Sequence, residues 1–257
     1  MNNSPSPALP ALPARIALVT GARGGIGSEV VARLRASGHR VAAVGRHADT
    51  LAGVPADAHI AADTTTPEGA AAAVAACKDQ LGAAPSLLAH CVGSTLIAPL
   101  HRSSALQIRE VLRINLDSAL FMLQAWVEAM RTAGQPGAAV LASSVVARIG
   151  VANHEAIAAA KGGVEALARS AAATYAPLGL RINVVAPGMT ETPLTAGMLR
   201  ADVMREGAGK QYPLGGVQTA AQVADTMVWL LSDGAARITG QVIAVDGGFT
   251  TVRPLVR

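Results

Sequence analysis

The chain has 257 residues, room for one large or two small domains, and its 51% hydrophobic and 15% charged content is that of a folded protein with a sizeable core. Its net charge of +4 comes from scattered Lys and Arg, and aromatics make up only 2%, so the clustered basic patch and stacking rings of a nucleic-acid surface are absent. Two cysteines without a C-x-x-C pair, a His154-Glu155 step with no second His, and no unbroken apolar run of bilayer length argue against a disulfide framework, a zinc helix and a membrane span. We therefore expect a cytoplasmic protein with no metal, no nucleic-acid partner and no membrane association.

Residues 1–14 alternate prolines with small residues and lack the basic start and apolar middle of a signal peptide, which predicts an extended, poorly ordered tail. From residue 15 onward, short apolar runs alternate with longer helical stretches. The runs Ile16–Thr20, Val41–Gly45, His59–Ala62, Leu87–Cys91, Ala138–Ala142, Arg181–Val185 and Gln241–Val245 read as buried strands. Between them, Ile26, Val30 and Leu34 recur at helical spacing before Gly38, and Thr66-Pro67-Glu68 reads as an N-cap, a first-turn proline and an acidic first turn. Leu106–Arg131, Asn153–Ala176 and Thr219–Ser232 read as further helices. Strands buried on both faces and linked by helical crossovers predict an α/β fold: a doubly wound, Rossmann-type parallel seven-stranded sheet with helices on both faces, formed by residues 15–257 as a single domain. Alanine supplies much of the apolar content, so this core is expected to pack from small side chains.

The first strand runs straight into Gly21-Ala22-Arg23-Gly24-Gly25-Ile26-Gly27, and a helix follows. Phosphates bind where backbone N–H groups and the positive end of a helix are exposed, and glycine lets them approach without a Cβ. A glycine cluster alone also marks ordinary turns. Its position between a strand and a helix, in the first unit of an alternating chain, favours dinucleotide binding.

Thr20-Gly21-x-x-x-Gly25-Ile26-Gly27 resembles the cofactor motif of the short-chain dehydrogenase/reductase family, and the likeness continues in order along the chain. Asp63 stands where the family has an acid near the adenine, Asn115 where it has an active-site Asn, Ser144 where it has the catalytic Ser, and Lys161 where it has the catalytic Lys. Asn183-Val184-Val185-Ala186-Pro187-Gly188, followed by Thr190 and Thr192, resembles the stretch beside the nicotinamide, and Ile243–Gly248 resembles the last strand. The 3-oxoacyl-acyl-carrier-protein reductase branch looks most similar. The resemblance implies an oxidoreductase acting on a small carbonyl or alcohol substrate, assembled as a homotetramer or homodimer. It implies a cofactor held by Gly21, Arg23, Gly25, Ile26, Gly27, Arg46, Asp63, Gly93, Lys161, Pro187, Gly188, Thr190 and Thr192. The second strand ends Val44-Gly45-Arg46, with no carboxylate to take both ribose hydroxyls and with an Arg that suits a 2′-phosphate, so NADP(H) is expected over NAD(H).

Two positions depart from the family. From Ser144 forward and from Lys161 backward, the family spacing converges on its proton-transferring Tyr, and the residue here is Ile157. The family's Asn-Asn-Ala-Gly reads His90-Cys91-Val92-Gly93, for which a packing variant of the strand end is the simpler account. His154, Ile157 and Lys161 are spaced i, i+3, i+7 and share one helix face, which makes His154 a substitute proton carrier. Alternatively, Asn153 is the N-cap and His154 merely the first helical residue. Tyr175 and Tyr212 fall in other segments, the first on a helix surface and the second in a loop. Ser144, or a water held by Asn115 and Lys161, is a further proton source. Two other functions stay open: a cofactor-loaded pseudoenzyme that senses or supports a partner, and a non-redox lyase or isomerase. Met189–Tyr212 is expected to cover the pocket, with Met189, Leu194, Met198, Leu199, Val203 and Met204 as an apolar lining and Arg200 and Arg205 as possible anion contacts.

Overall fold

The structure, a computed structural model, describes residues 15–253 and 255. The expected tail at 1–14 lies outside the described residues. Among the described residues nine strands form: β1 Ile16–Thr20, β2 Arg40–Gly45, β3 Ala58–Ala61, β4 Leu87–His90, β5 Gly137–Ala142, β6 Leu180–Pro187, β7 Thr190–Glu191, β8 Gln218–Thr219 and β9 Val242–Val245. Seven of them pair in parallel in the order β3-β2-β1-β4-β5-β6-β9, while β7 and β8 form a separate two-stranded piece. The helices are α1 Gly25–Ala36, α2 Pro67–Leu81, α3 Ala105–Leu112, α4 Ser118–Ala133, α5 Glu155–Tyr175, α6 Asp202–Gly209 and α7 Ala220–Leu231.

Alternation along each strand sends side chains to two cores. Leu18, Leu88, Leu141 and Ile182 meet α2, α4 and α5 on one face. Ala17, Val19, Ala89 and Val140 meet α1 and α7 on the other. Many contacts are alanines (Ala42, Ala73, Ala139, Ala168), which let helices lie close to the sheet, while Trp126, the largest fully buried side chain among the described residues, donates its indole N–H to the Pro85 carbonyl at 2.7 Å. In α1, Val30, Val31 and Leu34 face the core, but Ile26 is only partly buried and lines a cavity. Helix α2 has the expected ends: the Thr66 side chain accepts from Gly69 N–H at 3.1 Å, and Gly82 closes it with φ +80°.

The helix expected over Leu106–Arg131 is two helices joined by a π-turn at Arg113–Asp117. There the Ser118 N–H reaches back to the Arg113 carbonyl, one residue farther than in an α-helix. The Asn115 amide stabilises the bulge by donating to the Val111 carbonyl at 2.9 Å.

The strand register places the carboxyl ends of the central strands level. Thr20 pairs with Val44 on one side and His90 on the other, and His90 pairs with Leu141. Strand order reverses between β1 and β4, the position at which open α/β sheets bind ligands beyond their carboxyl ends.

His90 ties this end of the sheet to the π-turn. Ser118 donates its hydroxyl proton to the Ile114 carbonyl, so it accepts from His90 Nε2–H at 3.0 Å. His90 Nδ1 is then bare and accepts from the Thr20 hydroxyl at 2.8 Å. Burial, with a smaller effect from the Lys161 charge, pushes the ring from its ordinary 6.5 to about 3. The ring is a neutral strut, which agrees with the packing account of the His90-Cys91 departure. Below pH 6.5 the unfolded chain protonates here and the native state does not, so stability drains away as pH falls toward 3. Urea midpoints of wild type and His90→Asn should show it: the wild-type advantage falls by up to about 1.4 kcal/mol per pH unit below 6.5. A difference constant with pH would mean the ring is hydrated.

Candidate active site

Two cavities, of about 340 and 330 Å³, open along the carboxyl ends of the strands and share Cys91, Val92, Gly93 and Ser94 as a common wall. The smaller is bounded by Gly21, Arg23, Arg46 and Asp63. The larger is bounded by Ile26, Asn115, Ser144, His154, Ile157, Lys161, Pro187, Gly188, Thr190 and Thr192. Gly25 and Gly27 line neither cavity but support the turn from beneath. A Cβ on Gly25 would lie 2.8 Å from the Thr192 methyl group.

Gly21 makes the turn possible. Its φ is +64°, and a Cβ there would lie 2.7 Å from the Cys91 carbonyl oxygen and 2.9 Å from the Val92 nitrogen. Only glycine fits both the backbone angle and the contact. Backbone therefore meets backbone across the switch point, and the turn is left open to a phosphate at the start of α1.

The smaller cavity has a basic rim. Arg46 follows β2 directly, no acid occupies that strand end, and neither Arg23 nor Arg46 has a carboxylate ion-pair partner among the described residues. Arg113 is already engaged, paired with Glu110 at 2.7 Å, hydrogen-bonded to the Thr65 hydroxyl and 3.7 Å from Asp63. Asp63 accepts from the Thr65 hydroxyl at 2.7 Å and its N–H at 3.0 Å, and these bonds hold its carboxyl below the ordinary range, with help from Arg113 and Arg46.

In the larger cavity, Lys161 projects from α5 and donates to the Ala142 carbonyl, the last of β5, at 2.8 Å. Burial lowers its amine from 10.5 to about 8. The Ser143 hydroxyl lies 3.1 Å from the buried Glu165 carboxylate, which also meets Arg148 at 3.3 Å. This stitch fixes the β5 end against α5 and holds the neighbouring Ser144 at the cavity, its oxygen accepting from Val146 N–H at 3.3 Å. Asn115 accepts from Ser94 N–H at 3.2 Å and donates to the Ser94 hydroxyl at 3.0 Å, so it holds the shared wall. A Cβ on Gly93 would lie 3.3 Å from the Asn115 oxygen and 3.5 Å from Lys161 Nζ, a space that glycine keeps clear for a ligand.

Residues 21–250 match the family model described as Enoyl-(Acyl carrier protein) reductase. The cis-4-hydroxycyclohexanecarboxylate dehydrogenase of Sinomonas cyclohexanicum is 37% identical over 245 residues, covering 93% of this chain and 97% of that one. The chain belongs to the short-chain dehydrogenase/reductase family. The 2-(R)-hydroxypropyl-CoM dehydrogenase of Xanthobacter autotrophicus is 32% identical, with 93% of this chain and 99% of that one covered. Among solved structures, a short-chain type dehydrogenase/reductase from Mycobacterium ulcerans superposes with a TM-score of 0.87 at 31% identity, covering 92% and 90% of the two chains. Membership carries the Rossmann-type fold and the nicotinamide-dependent chemistry of an oxidoreductase.

Within this family member, α5 begins differently from the expectation. His154, not Asn153, is the N-cap, because Asn153 has φ +65° and turns the chain into the helix. His154 lines the larger cavity, and its Nδ1 lies 2.7 Å from the Ala152 carbonyl. A carbonyl only accepts, so Nδ1 carries the proton and Nε2 is left for other partners. Ile157 also lines the cavity while packing against Val111 and Val146.

The cover is smaller than expected. Met189, Leu194 and Met198 line the cavity, but Leu199 is buried elsewhere and Val203, at 76% exposure, points to solvent because α6 presents that face outward. Met204 is exposed as well, Arg205 pairs with Glu191, and Arg200 lines neither cavity. Tyr212 is the loop residue expected, and as the last residue of the expected cover it is in the cavity wall. The segment after α6 folds back on the strand ends, with Leu214 N–H bonded to the Gly247 carbonyl at 3.1 Å and the Tyr212 ring 5.1 Å from Phe249. The place of Tyr212 at the end of the expected cover, Met189–Tyr212, was the sequence signal for it. Among the described residues, no cluster of His, Cys, Asp and Glu suits a metal, and no helix is long and apolar enough to cross a membrane.

The buried lysine gives a second test. The unfolded amine titrates at 10.5 and the native one near 8, so its charge costs stability at neutral pH, and that cost fades as pH rises from 8 to 10.5. Lys161→Met should therefore gain stability relative to wild type at pH 7 compared with pH 10.5, by at most about 3 kcal/mol. A urea-midpoint difference that does not change with pH would show that the amine is solvated.

Proposed function

We propose that the protein is an NADP(H)-dependent oxidoreductase that interconverts an alcohol and a carbonyl compound, with His154 handling the proton that the family entrusts to a phenol. The observation that carries this reading is the convergence of Ser144, Asn115, Lys161 and His154 on one cavity, which shares its Cys91–Ser94 wall with the cavity at the glycine turn. Gly21, Arg23, Gly25, Ile26 and Gly27 would hold the pyrophosphate, Arg46 the 2′-phosphate, and Asp63 the adenine side. Gly93, Lys161, Pro187, Gly188, Thr190 and Thr192 would hold the nicotinamide end. The bound cofactor supplies or takes up hydride at the substrate carbon.

The chain's own groups do the rest. The Ser144 hydroxyl orients the substrate oxygen, since its own oxygen is occupied by Val146 N–H and its proton is available. The neutral His154 ring accepts the alcohol proton at Nε2 in the oxidising direction, and its imidazolium returns it to the carbonyl oxygen in the reducing direction. Lys161 keeps N–H groups for the nicotinamide ribose beyond the one given to Ala142, and Asn115 keeps the shared wall in register. Ile157 adds apolar lining where the phenol would stand, and its packing favours one other reading, a cofactor-loaded binding protein without turnover. We further take the protein to be cytoplasmic, residues 15–257 to act as one domain, and the outer faces of α4 and α5 to build a homotetramer or homodimer.

Steady-state oxidation of NADPH across a panel of small ketones tests the activity, and NADPH binding without turnover of any of them would favour the binding-protein reading. His154→Gln should lower kcat by about 10²–10⁴-fold, the range of general acid–base catalysis, with NADPH affinity unchanged. Ile157→Tyr should restore rate to that variant, whereas an undiminished His154→Gln enzyme would assign the proton to another group. For the cofactor, Arg46→Ala should weaken NADPH by at least tenfold while leaving NADH nearly unaffected, as fluorescence titration reads; equal losses would overturn the NADP assignment.

A further inference from the structure

The larger cavity has a polar group on the wall away from α5 that the proposed reaction does not use. Tyr212 Oη accepts from the Met189 N–H at 2.6 Å, and no protein group among the described residues takes its own proton. The ring is fixed on both sides: it lies against Phe249, and a Cβ on Gly188 would come within 2.7 Å of its Cε1. The hydroxyl is thus a placed donor at the cavity wall, with its acceptor side already filled.

Two features define what it can bind. A proton-transferring phenol needs a cation beside it, whereas burial and the Asp246 charge push Tyr212 upward, so it stays neutral and donates. The cavity also has no counter-charge to spare for a substrate anion: Lys161 is the one Lys or Arg on its wall among the described residues, one of its N–H groups is given to Ala142, and the rest are those assigned above to the nicotinamide ribose. At about 340 Å³, near the lower end of small-molecule sites, the cavity must take the nicotinamide ring as well, which leaves a compact space bordered by Val146, Leu194 and Met198.

We propose that Tyr212 is a specificity-determining donor that grips an uncharged oxygen remote from the reacting carbon, so that the preferred substrates are compact alcohols and ketones bearing a second hydroxyl or carbonyl. The inference rests on the oxidoreductase reading for the use of this cavity, but its test reads binding and does not need turnover.

The experiment is calorimetric titration of the NADP⁺-loaded protein, which has no hydride to give a ketone, with cyclohexanone, 4-hydroxycyclohexanone and 4-oxocyclohexanecarboxylate. One neutral hydrogen bond predicts that 4-hydroxycyclohexanone binds about threefold to tenfold tighter than cyclohexanone, and that the carboxylate binds no better than cyclohexanone. In Tyr212→Phe, which keeps the ring contacts, the advantage of the second oxygen should vanish while the affinities for cyclohexanone and NADPH stay within about twofold of wild type. The proposal is overturned if the advantage is absent in wild type, if it survives in Tyr212→Phe, or if the carboxylate binds best. It is equally overturned if the variant loses NADPH and both neutral ketones alike, which would give the phenol to the cofactor. Binding with the predicted pattern but no NADPH oxidation would leave Tyr212 in place and sink only the turnover reading.

Discussion

The backbone contact between Gly21 and the Cys91–Val92 peptide organises the whole functional end of the molecule. It joins the strands on either side of the point where strand order reverses, and it leaves no room for a side chain between them. Because the gap is closed by backbone alone, the N–H groups at the start of α1 face a groove and not a packed core. The two cavities share Cys91–Ser94 for the same reason, since that strip is the outer side of the contact.

Polar groups near this contact are buried, and each is committed to a partner. His90 bridges Thr20 and Ser118, Asn115 bridges the π-turn and Ser94, and Ser143 bridges β5 and α5. Unpaired, each would cost roughly 1–3 kcal/mol, so the network favours one arrangement of the strand ends over its neighbours. Lys161 is the exception in kind. Its amine is buried beside the cavity, and burial lowers it from 10.5 to about 8.

In the proposed reaction, holding the cofactor and moving the proton would be separable tasks. The cradle, the basic rim and the buried amine are independent of residue 157, where an isoleucine packs into a small apolar cluster beside the cavity. The polar groups that face the substrate space stand on different walls: Ser144 and His154 by β5 and α5, Tyr212 on the segment folded back over β6 and β9. A ligand spanning those walls would be held at two ends, which a site with one polar face cannot do.

The sequence by itself determined the alternation of strands and helices, the seven-stranded parallel sheet, the glycine turn, and the set Asn115, Ser144, His154 and Lys161, because these depend on local periodicity, backbone requirements and a motif order that one dimension preserves. Tertiary structure decided what depends on distant segments meeting. The π-turn arises because Asn115 takes the Val111 carbonyl and reaches Ser94, a partner far away in the chain. The neutral state of His90 follows from burial between β1 and the π-turn, and the role of Tyr212 from a loop folding back across the sheet ends. Val203 and Met204 carried the same apolar signal as Met189 and Met198, yet α6 turns them to solvent. Hydrophobicity along the chain says that a residue prefers cover; only the packing of the neighbouring elements says whether it gets any.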